Sequence, residues 1–252
     1  PIIFNEIMYN PNPGDDAYYE YIELYNRAPV SIDLANWQFV AGSNAHALSA
    51  DTIHDGSSTI LASGGYALLV DKATSTSTVY DGYYSAPNYS SSALRIKISG
   101  ASLGLINTGA VLVLKNDSGT IVDQVNYLNS WGAANNGKSL ERINYNNIYS
   151  QNQLAWAESV VGGTPNAANS ALDVSAGTPV ADNVAISQNI IWPKAGSPYL
   201  LYSNAGAYPT LNAGVKLIIE PGATLKPQNK YYYALYIRGT LKAEGNANEP
   251  IS

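Results

Sequence analysis

Apolar residues in this sequence almost nowhere recur at the three- and four-residue spacing of an amphipathic helix. They come instead in short runs rich in Val, Ile, Tyr and Leu, separated by Gly, Asn, Asp and Pro. That alternation of extended runs and turn residues predicts an all-β chain. The first run covers 2–9 and ends in the stiff turn Asn10-Pro11-Asn12-Pro13-Gly14. Further runs lie at 17–26, 30–34, 37–40, 59–62, 66–70, 94–98, 110–115 and 120–127. Asn116-Asp117-Ser118-Gly119 separates the last two and predicts a hairpin with Gly119 in the left-handed position. About nine short strands in roughly 165 residues predict a β-sandwich.

Composition narrows the function classes. Charged residues make up only 13% of the 252 residues and apolar ones 46%, which excludes disorder as the main state. No apolar run reaches the roughly 18 residues of a membrane helix, so no transmembrane segment is expected. A net charge of −6 argues against a general nucleic-acid binder, which needs a basic footprint. The absence of Cys removes disulfides, thiol catalysis and Cys-based zinc sites. Two His and one Met leave little for His-metal or haem chemistry. Tyr outnumbers Phe by 20 to 2, amid abundant Asn, Ser, Gly and Thr. Tyr covers apolar surface while keeping a polar tip in water. This balance predicts a secreted or cell-surface protein of a bacterium or archaeon. The chain opens at Pro1 and goes straight into a strand, which fits a mature, processed N-terminus and equally a trimmed piece of a longer chain.

The stretch 73–92 is Ser/Thr/Tyr-rich with little strand pattern and reads as a long surface loop. It holds the N-glycosylation sequon Asn88-Tyr89-Ser90, and Asn116-Asp117-Ser118 is a second. Residues 162–179, with Gly-Gly-Thr-Pro-Asn-Ala-Ala-Asn-Ser-Ala and then Ala-Gly-Thr-Pro, read as a linker. Charge shifts there: 7 basic and 14 acidic residues lie up to Ser170, and 6 basic and 5 acidic beyond it. The expected layout is a sandwich over 1–167, a linker over 168–182 and a β-rich domain over 183–252. In the last part Gly222-Ala223-Thr224-Leu225-Lys226 is echoed by Gly239-Thr240-Leu241-Lys242, each after an apolar strand. Strand-plus-Gly-turn repeats are what a β-solenoid requires. The sequence stops at Ile251-Ser252, just inside an expected strand.

Two resemblances add to this. Asn5-Glu6-Ile7-Met8-Tyr9-Asn10-Pro11, Glu20-Tyr21-Ile22-Glu23-Leu24-Tyr25-Asn26, Ile32-Asp33-Leu34 and Trp37 follow in the order of a lamin tail domain. Val122-Asp123-Gln124-Val125, Trp131, Ser139-Leu140-Glu141-Arg142 and Gly163-Thr164-Pro165-Asn166 continue that order. Residues 2–169 thus resemble a lamin tail domain of the prokaryotic type. The resemblance implies an immunoglobulin-like β-sandwich and a non-catalytic module of secreted nucleases, hydrolases and surface proteins. Residues 183–252 resemble the start of a right-handed parallel β-helix of secreted bacterial proteins. The likeness rests on Ile191-Trp192, Ser197-Pro198-Tyr199, Leu217-Ile218-Ile219-Glu220-Pro221-Gly222-Ala223-Thr224-Leu225, Ile237-Arg238-Gly239-Thr240-Leu241-Lys242-Ala243-Glu244-Gly245 and Pro250-Ile251. A small β-domain and a partial β-solenoid both remain open for this segment.

No residue set announces catalysis. His54-Asp55 with Ser57 offers the residue types of a triad, but no Gly-x-Ser-x-Gly elbow accompanies them, and Asp55-Gly56 reads as a turn. Glu6 shares the parity of Ile2, Phe4 and Met8, and Glu20 that of Ile22 and Leu24. If those faces point inward, the carboxylates need partners, because an unpaired buried charge is very costly. The candidates are Arg142, Arg27, a cation, or hydrogen bonds from turn amides. Asp15, Asp16 and Glu20, with the Asn10 and Asn12 carbonyls, supply hard oxygen ligands of the kind Ca²⁺ takes, without an EF-hand pattern. Calcium is therefore the one cofactor the sequence suggests. Strand alternation puts Tyr19, Tyr21 and Tyr25 on one face, and a second group holds Tyr231, Tyr233 and Tyr236. Such faces suit contact with copies of the chain, other surface proteins or a glycan.

The function these readings favour is a structural protein of the cell exterior, in a surface layer, adhesin or filament, joined through strand edges and Tyr-rich faces. The alternative is the non-catalytic targeting part of a larger secreted enzyme. Nucleic acid is not an expected partner, since no Lys/Arg cluster accompanies the aromatics.

Overall fold

The computed structural model describes residues 2–12, 20–51, 58–70, 94–99, 103–147, 149–204, 206–229 and 235–252. They form an all-β protein whose only helical pieces, among the described residues, are three single 3₁₀ turns. Two compact units emerge: Pro1–Tyr145 with Trp156–Leu172, and Asn146–Ala155 with Asp173–Ser252.

The first unit holds β1 (Ile2–Met8), β2 (Tyr21–Asn26), β3 (Ile32–Asp33), β4 (Gln38–Ala41), β5 (Asn44–Ala50) and β6 (Ile60–Leu61). β7 (Tyr66–Val70), β8 (Leu94–Ile98), β9 (Gly109–Lys115), β10 (Ile121–Leu128), β11 (Leu140–Arg142) and β12 (Trp156–Glu158) complete it. Ten of these run in the order β10-β9-β4-β5-β8-β7-β2-β1-β11-β12. The pairing is antiparallel except between β7 and β8. Strand β5 turns the sheet into a sandwich, pairing β4 through Asn44–Ala47 and β8 through Leu48–Ala50. The two layers meet where Phe4 of β1 packs edge-on against Phe39 of β4, 6.3 Å away. Around them Ile22, Leu24, Leu69, Ile96, Ile98, Leu112, Leu114 and Val125 are buried. The sandwich is thus immunoglobulin-like, as the resemblance to lamin tail domains implied.

The hairpin between β9 and β10 forms as expected, with Gly119 at φ +78°. Asn116 Oδ1 closes it by accepting from the Thr120 amide at 2.8 Å. Strands β5, β11 and β12 were not foreseen. β5 carries mostly small and polar residues (Asn-Ala-His-Ala-Leu-Ser-Ala), and only His46 and Leu48 are buried in it. β11 and β12 are three residues each, below the length at which alternation can be read.

The second unit is a β-solenoid-like stack. A first coil supplies β13 (Thr178–Val180), β14 (Ala185–Ile186) and β15 (Ile190–Trp192). The next supplies β16 (Tyr199–Leu201), β17 (Thr210–Leu211) and β18 (Lys216–Ile219), and the third β19 (Leu225–Pro227), β20 (Tyr236–Ile237) and β21 (Thr240–Ala243). Each side is a parallel three-stranded sheet: β13-β16-β19, β14-β17-β20 and β15-β18-β21. Within it Trp192 stacks on Tyr199 at 4.6 Å and donates Nε1–H to the Tyr149 hydroxyl at 2.8 Å. Val180, Ile186, Leu211, Leu217 and Ile219 fill the rest.

The internal echo has a different meaning from the one expected. Leu225 lies in β19 and Leu241 in β21, so the two copies sit on the first and third sides of one coil, not on successive coils. The true coil repeat is seen in the ladders, where Leu217 pairs with Ile190 and Leu241. It was invisible because the equivalent positions share only an apolar side chain.

Candidate functional site

The most unusual chemistry in the first unit is a row of three buried glutamates. Glu6 of β1 faces Glu23 of β2 on one side and Glu141 of β11 on the other. All three are fully buried. Like charges directly opposite one another destabilise a sheet, and burial without partners is costlier still. Their neighbours must therefore supply donors.

A strap, residues 162–171, supplies most of them. The Thr164 amide donates to Glu6 Oε1 at 2.9 Å, and the Thr164 hydroxyl to Glu141 Oε1 at 2.5 Å. The Asn166 amide donates to Glu23 Oε2 at 2.5 Å. Ser170 Oγ and the Ala171 amide donate to Glu141 Oε2 at 2.8 and 2.7 Å. From the sheet itself, the Tyr21 and Ser139 hydroxyls donate to Glu6 Oε1 at 2.6 and 2.5 Å. Asn5 Nδ2 donates to Glu23 Oε1 at 2.6 Å and to Asn169 Oδ1 at 2.7 Å.

Gly163 lets the strap come this close. It sits at φ +72°, where side chains are disfavoured, and an added Cβ would fall onto the Tyr21 hydroxyl and Glu6 Oε1. The first half of the stretch read as a linker from its Gly, Pro and Asn content is thus a fixed element of the first unit. Its small residues permit close approach and its amides meet carboxylates.

Glu6 Oε2 is buried and has no hydrogen-bond partner. Burial pushes the Glu6 carboxyl up to about 7, against the pull of its three donors. Burial, reinforced by the Glu6 charge, also holds Glu23 well above the usual carboxylate range. The row therefore favours holding a proton at neutral pH. It has no catalytic geometry of the glycosidase kind, because the strap lies where a substrate would have to reach.

Neither expected arginine partner reaches Glu6. Arg142 instead pairs with Asp123 at 2.9 Å, donates Nε–H to the Phe4 carbonyl at 2.8 Å, and lies 5.2 Å from the Trp156 ring. Arg27 Nη1 donates to the Tyr145 carbonyl at 3.3 Å. Turn amides and hydroxyls answer the carboxylate instead. The face assignment of Glu6 also differs from simple alternation. A register shift between Phe4 and Glu6 sends Phe4 to the core and brings Asn5 and Glu6 to the strap side.

The predicted tyrosine faces separate. Tyr21 is 1% exposed, so it belongs to the carboxylate cluster and presents no surface. Tyr25 is half-buried, stacked on Tyr145 at 4.1 Å and near Tyr66 at 5.2 Å. The strap and these rings cover a face that alternation alone marks as open. Tyr19, Tyr231 and Tyr233 lie outside the described residues. Tyr236 is on β20 and is 50% exposed. Of the calcium candidates, Asp15 and Asp16 lie outside the described residues, and Glu20 is half-exposed just before β2. Among the described residues no group of three or more acidic or His side chains is placed to hold a metal ion. His54, Asp55 and Ser57 lie outside the described residues, as does the Asn88 sequon. His46 is buried, stacked on Phe39 at 6.0 Å, with its Nδ1 against the Ser99 carbonyl.

Among the described residues no helix is long and apolar enough to cross a membrane. A search of curated proteins finds no match. The family model of the Lamin Tail Domain, a non-enzymatic immunoglobulin-like domain, matches residues 1–129. That span takes in β1 to β10, with Glu6 and Glu23, while Glu141 and the strap follow it. The chain belongs to the lamin tail domain family.

Proposed function

We propose that this is a non-catalytic structural protein of the cell exterior, a subunit of a surface layer, adhesin or filament that associates through β-strand edges. The observation that carries this reading is the third solenoid coil. Ile186 and Leu211 are 4% and 0% exposed, but Ile237, next in the same row, is 44% exposed. Leu217 is fully buried, and Leu241, next in its row, is 37% exposed. Apolar side chains and strand edges thus stand together on this coil, a template that another β-element can cover, be it further chain or a partner. In the first unit the eight-residue edge strand β10 adds exposed Ile121 and Leu128, though a register shift near Asp123 blunts that edge.

A second reading, the binding part of a larger secreted enzyme, draws support from the strap, whose amides and hydroxyls cover the three carboxylates and leave the sandwich to act as a carrier. Light scattering with electron microscopy of the same sample separates the two. Regular filaments or sheets support the subunit. Uniform monomers at high concentration overturn it.

A further inference from the structure

The outer face of the β14-β17-β20 sheet carries a second site. Alternation sends Ile186, Leu211 and Ile237 toward the solenoid interior and Ala185, Thr210 and Tyr236 outward. Tyr208 shares the parity of Thr210, and Arg238 that of Tyr236. Tyr208, Thr210, Tyr236 and Arg238, together with Asp182 and Asn183 from the turn before β14, line an open cavity of about 410 Å³. That volume is within the range of small-ligand pockets.

The wall is chemically mixed in a particular way. Arg238 lies over the Tyr236 ring, 5.1 Å from its centroid, which holds the guanidinium in place without using its N–H donors. No ion pair among the described residues joins Arg238 to Asp182, although both line the cavity. The cavity therefore offers an acceptor-only carboxylate, a donor-only guanidinium and an amide, beside two tyrosine rings. Its formal charges cancel. A phosphate ligand would meet Asp182, and a cationic one Arg238. A polyhydroxylated neutral ligand meets neither objection, because each hydroxyl both donates and accepts. Flat tyrosine faces suit the C–H face of a pyranose ring.

We infer that this cavity binds pyranose units of a neutral glycan. The site uses the outer face of a sheet and not its edges, so it does not depend on the assembly reading.

The test is calorimetric titration of the full chain with neutral hexaoses of glucose, mannose and N-acetylglucosamine, at low and high NaCl, with polygalacturonate as an anionic contrast. Tyr236→Ala and Asp182→Asn are compared with the wild type, and circular dichroism checks that both variants keep the wild-type fold. The expected result is salt-insensitive binding of at least one neutral hexaose, weakened about tenfold by either variant, as for loss of one good polar or ring contact. Three results would overturn the inference: no binding of any hexaose, binding that both variants leave unchanged, or binding of polygalacturonate alone that high salt abolishes. Light scattering during the titration keeps self-association separate from ligand binding.

Discussion

Replacing Glu6 by Gln tests how the sheet tolerates three buried carboxylates in a row. The folded protein holds the Glu6 carboxyl at about 7, against 4.5 for an ordinary glutamate. Between those values the folded state binds a proton that the unfolded state has released. Stability therefore falls as pH rises through this window, and is highest at its acid end. The shift corresponds to about 3 kcal/mol, lost between roughly pH 4.5 and 7.5. Glu23 is raised as well and faces Glu6 directly, so the loss belongs to the pair as a unit. Carboxylates with lowered values, such as Asp33 and Glu158, act in the opposite sense, and they do so below this window. Gln reproduces the protonated glutamate: its carbonyl can still accept from Tyr21, Ser139 and Thr164. E6Q should match the wild type at pH 5 and exceed it by up to about 3 kcal/mol at pH 8. Urea unfolding at pH 5, 6, 7 and 8 measures this, with hydrogen-exchange mass spectrometry assigning the transition to peptides of β1 and β2. A wild-type stability that stays flat or rises over pH 5–8, or an E6Q protein weaker than wild type at pH 8, would refute the reasoning.

Three further substitutions probe the same framework. Gly163→Ala should destabilise the first unit by about 2–4 kcal/mol, from the positive φ and the collision with Tyr21 and Glu6, and calorimetry should show the lower melting temperature. Asp123→Ala leaves the buried Arg142 guanidinium without its carboxylate and should weaken the same unit by about 3 kcal/mol in urea unfolding. Tyr149→Phe removes the acceptor for Trp192 Nε1–H and should weaken the second unit by about 1–2 kcal/mol, read from Trp192 fluorescence during unfolding.

Much of the fold was legible because its signals are local. Runs such as 2–9 and 110–115 alternate or cluster apolar residues, and Gly119 marks its turn in the sequence itself. The second unit announced a solenoid through the echo of residues 222–226 in 239–242, though the echo tracked two sides of one coil. The candidate site was less legible, for a physical reason. The alternation that places Glu6 breaks between Phe4 and Glu6, and a one-residue shift moves a side chain to the other face. The strap was hidden by its composition, since Gly163, Thr164, Pro165 and Asn166 suit a linker and a close-packed lid equally well. Only the spatial row of Glu6, Glu23 and Glu141, from three separated strands, reveals what those amides are for.

The association of the wild-type chain, set beside an Ile237→Lys/Leu241→Lys variant, tests the central claim most directly. Both positions are already exposed, so the charges leave the folded chain intact while spoiling the apolar edge. Sedimentation velocity over a concentration series should show wild-type protein in defined larger assemblies and the variant shifted to monomer. A wild-type protein that sediments as a monomer throughout, or a variant that assembles as the wild type does, would contradict the account.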